Sequence, residues 1–194
     1  VRADQWLGGP MPLARKMSGS RLGLVGMGRI GQAIAKRALA FDLSVAYTAR
    51  SAKAALPYRF VPDAKALAAE SDFLVLITPG GAGTRKLVDA RVLEALGPKG
   101  ILVNVARGSV VDESALIEAL EKGVIGGAAL DVFENEPQLN PGFLELDNVV
   151  LTPHIGGASR DTRMKMAMLA AKNLVAALEG GTPPNLLNPE ARRP

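Results

Sequence analysis

The chain contains no cysteine, which excludes disulfides, thiolate-rich metal sites and a cysteine nucleophile together. It has a single histidine, and no metal site is expected. Aromatic residues are only 4% of the sequence and do not alternate with basic ones. Lys and Arg are interleaved with Asp and Glu and never gather into a basic block, so a nucleic-acid partner is not expected. No apolar stretch approaches the ~20 residues that cross a bilayer, and no membrane partner is expected. Val1-Arg2-Ala3-Asp4 opens without the apolar core of a signal peptide. A cytoplasmic location fits these features, and the missing cysteine suits a reducing compartment. Because the first residue is Val and not Met, a longer protein with a segment upstream of Val1 is expected.

What is present is aliphatic mass. Hydrophobic residues make up 48% and charged residues 22% of 194 positions, with a net charge of +4. That composition describes a globular chain with a sizeable core. Short apolar runs alternate with stretches of helical spacing, the pattern of a parallel sheet covered by helices on both faces. The expected fold is α/β, and the glycine turn Gly26-Met27-Gly28-Arg29-Ile30-Gly31 after the first strand makes it a doubly wound Rossmann sheet. Strands are expected over 22–25, 43–47, 59–61, 73–77, 101–105, 126–130 and 149–152. The run FLVLI at 73–77 is apolar throughout, as a strand buried on both faces requires. Helices are expected over 64–69, 88–96 and 113–121, and after Gly28 with Ile30, Ile34, Ala38 and Phe41 as the buried stripe. A last helix opens at Ser159, whose hydroxyl can cap it, with Asp161 favourable at its positive end. Its stripe of Met164, Met168, Ala171, Val175 and Leu178 reads as core packing.

Gly26-Met27-Gly28-Arg29-Ile30-Gly31 is a G-x-G-x-x-G turn after a strand and before a helix. The first glycine permits the tight turn, the second admits a pyrophosphate to the backbone, and the third lets helix and strand approach closely. Unpaired N–H groups at the helix start then face the phosphates. About 20 residues on, an acid would bind the ribose 2′-hydroxyl of NAD. This chain has Ala49-Arg50-Ser51-Ala52-Lys53 there, without an acid. A 2′-phosphate suits a guanidinium and a hydroxyl, so NADP(H) is favoured over NAD(H). The competing reading makes Arg50 and Lys53 solvated loop charges. The missing acid also weakens a reading in which S-adenosylmethionine is bound.

The lone histidine, His154, follows the last expected strand in Thr152-Pro153-His154-Ile155-Gly156-Gly157, where open α/β sheets place their ligands. Position alone leaves a structural histidine the simpler reading. Arg107 stands at the end of the 101–105 strand, and Asp131, Glu134 and Glu136 follow the 126–130 strand. Together these groups suit reduction of a 2-keto acid. Arg107 would clamp the substrate carboxylate, His154 would exchange a proton with the keto oxygen, and Glu136 would orient and support the imidazolium. Glu134 is the competing choice for the acid.

The turn GMGRIG, the run LVNVARGSVVDESAL, the segment GAALDVFENEP and the stretch LDNVVLTPHIGG resemble the D-2-hydroxyacid dehydrogenases, in their glyoxylate/hydroxypyruvate reductase branch. The resemblance covers roughly residues 18–180. It implies an Arg107–Glu136–His154 catalytic set and contact of Asp131 with the nicotinamide carboxamide. It further implies Thr78 and Pro79 on the adenine side, and Val105 and Ala106 near the nicotinamide ribose. Arg29, Ile30, Thr84 and Gly156 complete the expected cofactor-binding set with Gly26, Gly28, Gly31, Ala49, Arg50, Ser51, Arg107 and His154. In relatives of this kind Asp in place of Ala49 goes with NAD, so Ala49-Arg50-Ser51 looks like the NADP-using variant.

Two departures stand out. Where many relatives carry Leu-Thr and then Glu-Thr after Thr78-Pro79, this chain has Gly80-Gly81-Ala82-Gly83-Thr84. The family's separate substrate domain is also absent from the chain. Residues 1–17 then resemble the crossing into the nucleotide domain, 18–157 the domain itself, 158–180 a long helix packed on it, and 181–194 the crossing back. The resemblance implies a homodimer paired through the coenzyme domain. The segment Trp6 to Leu13 would be part of that contact or an arm covering its own subunit. A nucleotide-sensing, corepressor-like binding protein is the alternative to an enzyme; it has no need for Arg107, Glu136 and His154 together.

Overall fold

Seven short strands, β1 (Arg21–Val25), β2 (Ser44–Thr48), β3 (Arg59–Phe60), β4 (Phe73–Leu76), β5 (Ile101–Asn104), β6 (Gly127–Leu130) and β7 (Val149–Leu151), pair in parallel in the order β3-β2-β1-β4-β5-β6-β7. The computed structural model describes Gly9 and residues 13–191. Of the segment Trp6 to Leu13, only Gly9 and Leu13 fall within the described residues, so the expected arm or dimer contact lies largely outside them. The chain forms two units, Val1–Pro153 and His154–Pro194.

In the first unit the strand order reverses between β1 and β4, which pair directly with Leu22 opposite Phe73 and Val25 opposite Leu76. Such a reversal leaves a crevice at the carboxyl ends of the strands. The alternation of side chains along each strand then sorts the core onto two faces. Leu22 and Leu24 of β1 and Val75 of β4 pack with Ala35 and Ala38 of α1 (Arg29–Ala38). Val25, Leu74 and Leu76 face the other way, onto α2 (Ala64–Ala69), α3 (Ala90–Leu96) and α4 (Glu113–Glu121) through Leu67, Leu93 and Leu116. Gly23 is required on that second face, because a Cβ there would lie 2.2 Å from the Ser71 hydroxyl.

Local chemistry sets the element ends. Asp63, Asp89 and Asp112 each accept backbone N–H groups at the starts of α2, α3 and α4. The helix expected over 88–96 begins only at Ala90, since Asp89 caps it and Val88 bridges to Val111. The strand expected over 59–61 stops at Phe60, although the Val61 N–H still donates to the Tyr47 carbonyl at 2.8 Å. Ile30 and Phe41, expected in the buried stripe of α1, are exposed. Phe41 belongs to a short 3-10 turn beyond the helix, and the true buried positions are Gly31, Ala35 and Ala38.

In the second unit the Ser159 hydroxyl accepts the Thr162 N–H at 3.1 Å and opens α5 (Arg160–Leu178). Asn173 ties the following segment back to the helix: its side chain donates to Asn185 Oδ1 at 3.3 Å and accepts the Asn185 N–H at 2.9 Å. The core packing expected of Met164, Met168, Ala171, Val175 and Leu178 is not found. All five are exposed, and α5 has no buried residue. Helical spacing marks an apolar face without specifying the surface that covers it.

Candidate functional site

The glycine turn after β1 has the geometry its pattern requires. Gly26 adopts φ +111, and a Cβ there would stand 2.7 Å from the Ile77 carbonyl oxygen, so only glycine fits. At Gly31 a Cβ would meet the Gly26 carbonyl oxygen at 2.4 Å, which lets α1 start hard against the turn. Around Gly28 there is open space within 4 Å. Gly28 is also the N-cap of α1 and supplies no side-chain acceptor. Among the described residues the other four α-helices carry an Asp or Ser cap. The first-turn N–H groups of α1 are therefore left for an external anion.

That turn forms one wall of a groove along the carboxyl ends of the strands. One part, about 480 Å³, is lined by Gly26, Gly28, Ala49, Arg50, Ser51 and Lys53 on one side and by Thr78, Pro79 and Thr84 on the other. A second part, about 630 Å³, shares Ile77 to Gly81 with the first and continues past Ile30 to Val105, Ala106, Arg107 and Ser109. The structure thus gathers most of the expected cofactor residues into one channel, with cationic Arg50 and Lys53 at one end and Arg107 at the other. Arg29 opens α1 beside it. Among donors of this chemistry, an uncapped helix start and a nearby guanidinium, hydroxyl and ammonium fit a phosphorylated dinucleotide.

The Arg107 end rests on residues that the motif reading did not single out. Asn104, 1% exposed, folds the chain after β5: its side-chain amide donates to the Arg107 carbonyl at 3.1 Å and its oxygen accepts the Ala106 N–H at 3.1 Å. A lone polar residue at the end of an apolar run was the available signal. The Arg107 guanidinium donates to the Ala106 carbonyl at 2.6 Å. Gly80 lies against its stem, where a Cβ would be 3.0 Å from Arg107 Cγ. Gly80, in the glycine stretch that departs from the family pattern, thus leaves room for this arginine.

Gly108 docks this turn onto the segment after β6, because any Cβ there would overlap the Phe133 carbonyl carbon at 1.9 Å. Glu113, buried at the start of α4, accepts the Glu134 N–H at 2.7 Å. Burial pushes the Glu113 carboxyl above its ordinary range, and the nearby Glu134 charge adds to that. Asp112 is held below the ordinary carboxylate range, chiefly by the Lys86 ammonium 3.0 Å away. Glu134 is engaged by Arg85 at 2.8 Å. Glu136 accepts the Phe133 N–H at 2.9 Å. Asp131 at the end of β6 accepts the Thr152 hydroxyl at 2.6 Å, across from the end of β7. Arg107, Asp131 and Glu136 all belong to the first unit. His154 and Gly156 belong to the second, where His154 has φ +52. Among the described residues no group of His, Asp and Glu could hold a metal ion, and no helix is long and apolar enough to cross a membrane.

A family model described as "D-isomer specific 2-hydroxyacid dehydrogenase, NAD binding domain" matches residues 1–156. The chain is 48% identical to a 2-ketogluconate reductase of Gluconobacter oxydans over 176 residues, 91% of this chain and 57% of that protein. It is 47% identical to a glyoxylate/hydroxypyruvate reductase of Arabidopsis thaliana over 180 residues, 93% of this chain and 58% of that one. Among solved structures, an NADPH-dependent glyoxylate/hydroxypyruvate reductase of Sinorhizobium meliloti, in complex with NADP and malonate, superposes with a TM-score of 0.93 at 44% identity. That match covers 100% of this chain and 61% of the other. The chain therefore spans less than two thirds of the length of these relatives.

Proposed function

The chain belongs to the D-isomer specific 2-hydroxyacid dehydrogenases, as their NAD-binding domain, and from that premise we propose that the protein is an oxidoreductase that reduces a small 2-keto acid of the glyoxylate or hydroxypyruvate type to the D-2-hydroxy acid with NADPH. The observation that carries this reading is the continuous groove from the Arg50–Lys53 loop past the uncapped α1 start to Arg107. When bound there, NADPH supplies the hydride that adds to the keto carbon. Arg107 pairs with the substrate carboxylate and polarises the keto oxygen through its planar donor fork. His154 gives its proton to that oxygen, so the carbonyl becomes a hydroxyl, and takes a proton back in the reverse direction. Glu136 orients the imidazole. Glu134, paired with Arg85 at 2.8 Å, is the competing choice for that role. Asp131, fixed by Thr152, accepts from the nicotinamide carboxamide.

The NADPH preference is supported by Ala49, Arg50, Ser51 and Lys53 lining the groove with no acid among them. The relatives named above act on small keto acids or are named for doing so, and the same substrate class is inferred here. Assembly as a homodimer in the cytoplasm completes the reading, with sedimentation as its check. The test of function is NADPH oxidation by the full-length protein with glyoxylate and with hydroxypyruvate. His154→Gln is expected to lower kcat by about 10²- to 10⁴-fold, the usual contribution of a positioned acid, with NADPH binding retained. Turnover unchanged by His154→Gln would remove His154 as the acid. Binding without turnover in the unmodified protein would favour a nucleotide-sensing role.

A further inference from the structure

The loop from Ala49 to Lys53 carries the charges at one end of the groove, yet residues 50–55 are all exposed. Apolar packing therefore does little to hold it in one shape. Its tether is Tyr47, the residue before the end of β2. Tyr47 is 1% exposed, and its ring packs against Phe60 with centroids 5.5 Å apart and planes tilted by 57°. Its hydroxyl accepts the backbone N–H of Lys53 at 2.7 Å. The Lys53 carbonyl in turn accepts the Leu56 N–H at 3.0 Å. One residue along, the Thr48 carbonyl accepts the Gly26 N–H at 2.9 Å. The end of β2 thus holds the phosphate turn through one residue and the charged loop through its neighbour. The core needs only the ring, which phenylalanine would also supply. What tyrosine adds is a hydroxyl that accepts a backbone N–H six residues along, closing the loop.

We propose that Tyr47 is a positioning residue for cofactor choice: by tethering the Lys53 amide, its hydroxyl fixes the loop that presents Arg50 and Ser51 to the 2′-phosphate of NADPH. The inference rests on the NADPH reading above. Tyr47 does not touch the ligand; it acts on the frame from which the ligand's phosphate is bound. Its loss is therefore felt by NADPH and not by NADH, which lacks that phosphate.

The test measures Kd for NADPH and for NADH in the unmodified protein, in Tyr47→Phe and in Arg50→Ala, with amide hydrogen exchange of the Lys53 N–H and Tm recorded alongside. Tyr47→Phe keeps the ring in the core. It is expected to weaken NADPH about three- to tenfold, the size of one lost hydrogen bond, while NADH binding and Tm stay near their starting values. The Lys53 amide should lose its exchange protection in the same variant. Arg50→Ala should weaken NADPH by more than Tyr47→Phe and spare NADH. If Arg50→Ala collapses the preference and Tyr47→Phe leaves it intact, the role given to Tyr47 is overturned and the NADPH reading stands. Equal weakening of both nucleotides by Tyr47→Phe, or Lys53 protection unchanged in it, overturns it too. If Arg50→Ala affects both nucleotides alike, the 2′-phosphate reading fails and the inference falls with it.

Discussion

Asp72 joins three stretches of chain at the amino end of β4. Its carboxylate accepts the Arg21 backbone N–H at 2.8 Å and the Arg21 side chain at 2.9 and 3.1 Å. Arg15 pairs with it at 2.6 Å while its guanidinium sits 5.4 Å from the centre of the Phe73 ring. These donors, the Arg21 side chain first, hold the Asp72 carboxyl well below its ordinary range. Its contribution is therefore present above the ordinary Asp pKa and is lost as pH falls toward the lowered one. Asp72→Asn is expected to cost about 1–2 kcal/mol at neutral pH, since Arg21 is partly solvated. The difference from the unmodified chain should shrink in acid, as denaturant unfolding at a series of pH values will show. Residues with a backbone duty were legible in the sequence, as Gly26, Gly28 and Gly31 were, because the strand–turn–helix context gave each its reason. Tyr47, Asn104 and Glu113 were not singled out. Asn104 closes its own turn, whereas Tyr47 and Glu113 each work through a backbone N–H further along the chain, a contact that no motif spacing encodes before the fold is known.

At the scale of elements, the parallel sheet could be read from its apolar runs because strands buried on both faces tolerate little else. Boundaries shifted where a single side chain decided them, as Asp89 does for α3. The approach of the Arg107 turn to the segment after β6 was less legible, since it depends on Gly108 and on buried Glu113. That contact makes a prediction. Glu113→Leu leaves the partly buried Glu134 N–H without its acceptor and is expected to cost about 1–2 kcal/mol. In the full-length protein it should also lower kcat more than it raises KM, because the segment bearing Glu136 loses its anchor. Glu113→Gln keeps an oxygen for the Glu134 N–H and should be far milder. Burial raises the Glu113 pKa, so its share of stability is complete below the ordinary carboxylate range and is lost as pH rises through the raised value. The glutamine variant should lack that slope in the same unfolding series.

For the whole molecule, the apolar spacing of α5 predicts a buried stripe, and the residues of that stripe are exposed. Periodicity reports an apolar face, and only the surroundings report what meets it. The groove is different, because each of its walls is built within the first unit from strand ends brought together by the order β2-β1-β4-β5. The central claim is that a dinucleotide lies along that groove with its 2′-phosphate on Arg50 and Ser51. The most direct measurement is phosphorus NMR of NADPH titrated with the chain across a pH series. A free phosphate monoester loses its second proton near pH 6. The account predicts that both the pyrophosphate and the 2′-phosphate signals shift on binding, and that the bound 2′-phosphate titrates at a lower pH because a guanidinium holds the dianion. A 2′-phosphate signal that keeps its free position and free titration while the pyrophosphate shifts would contradict it.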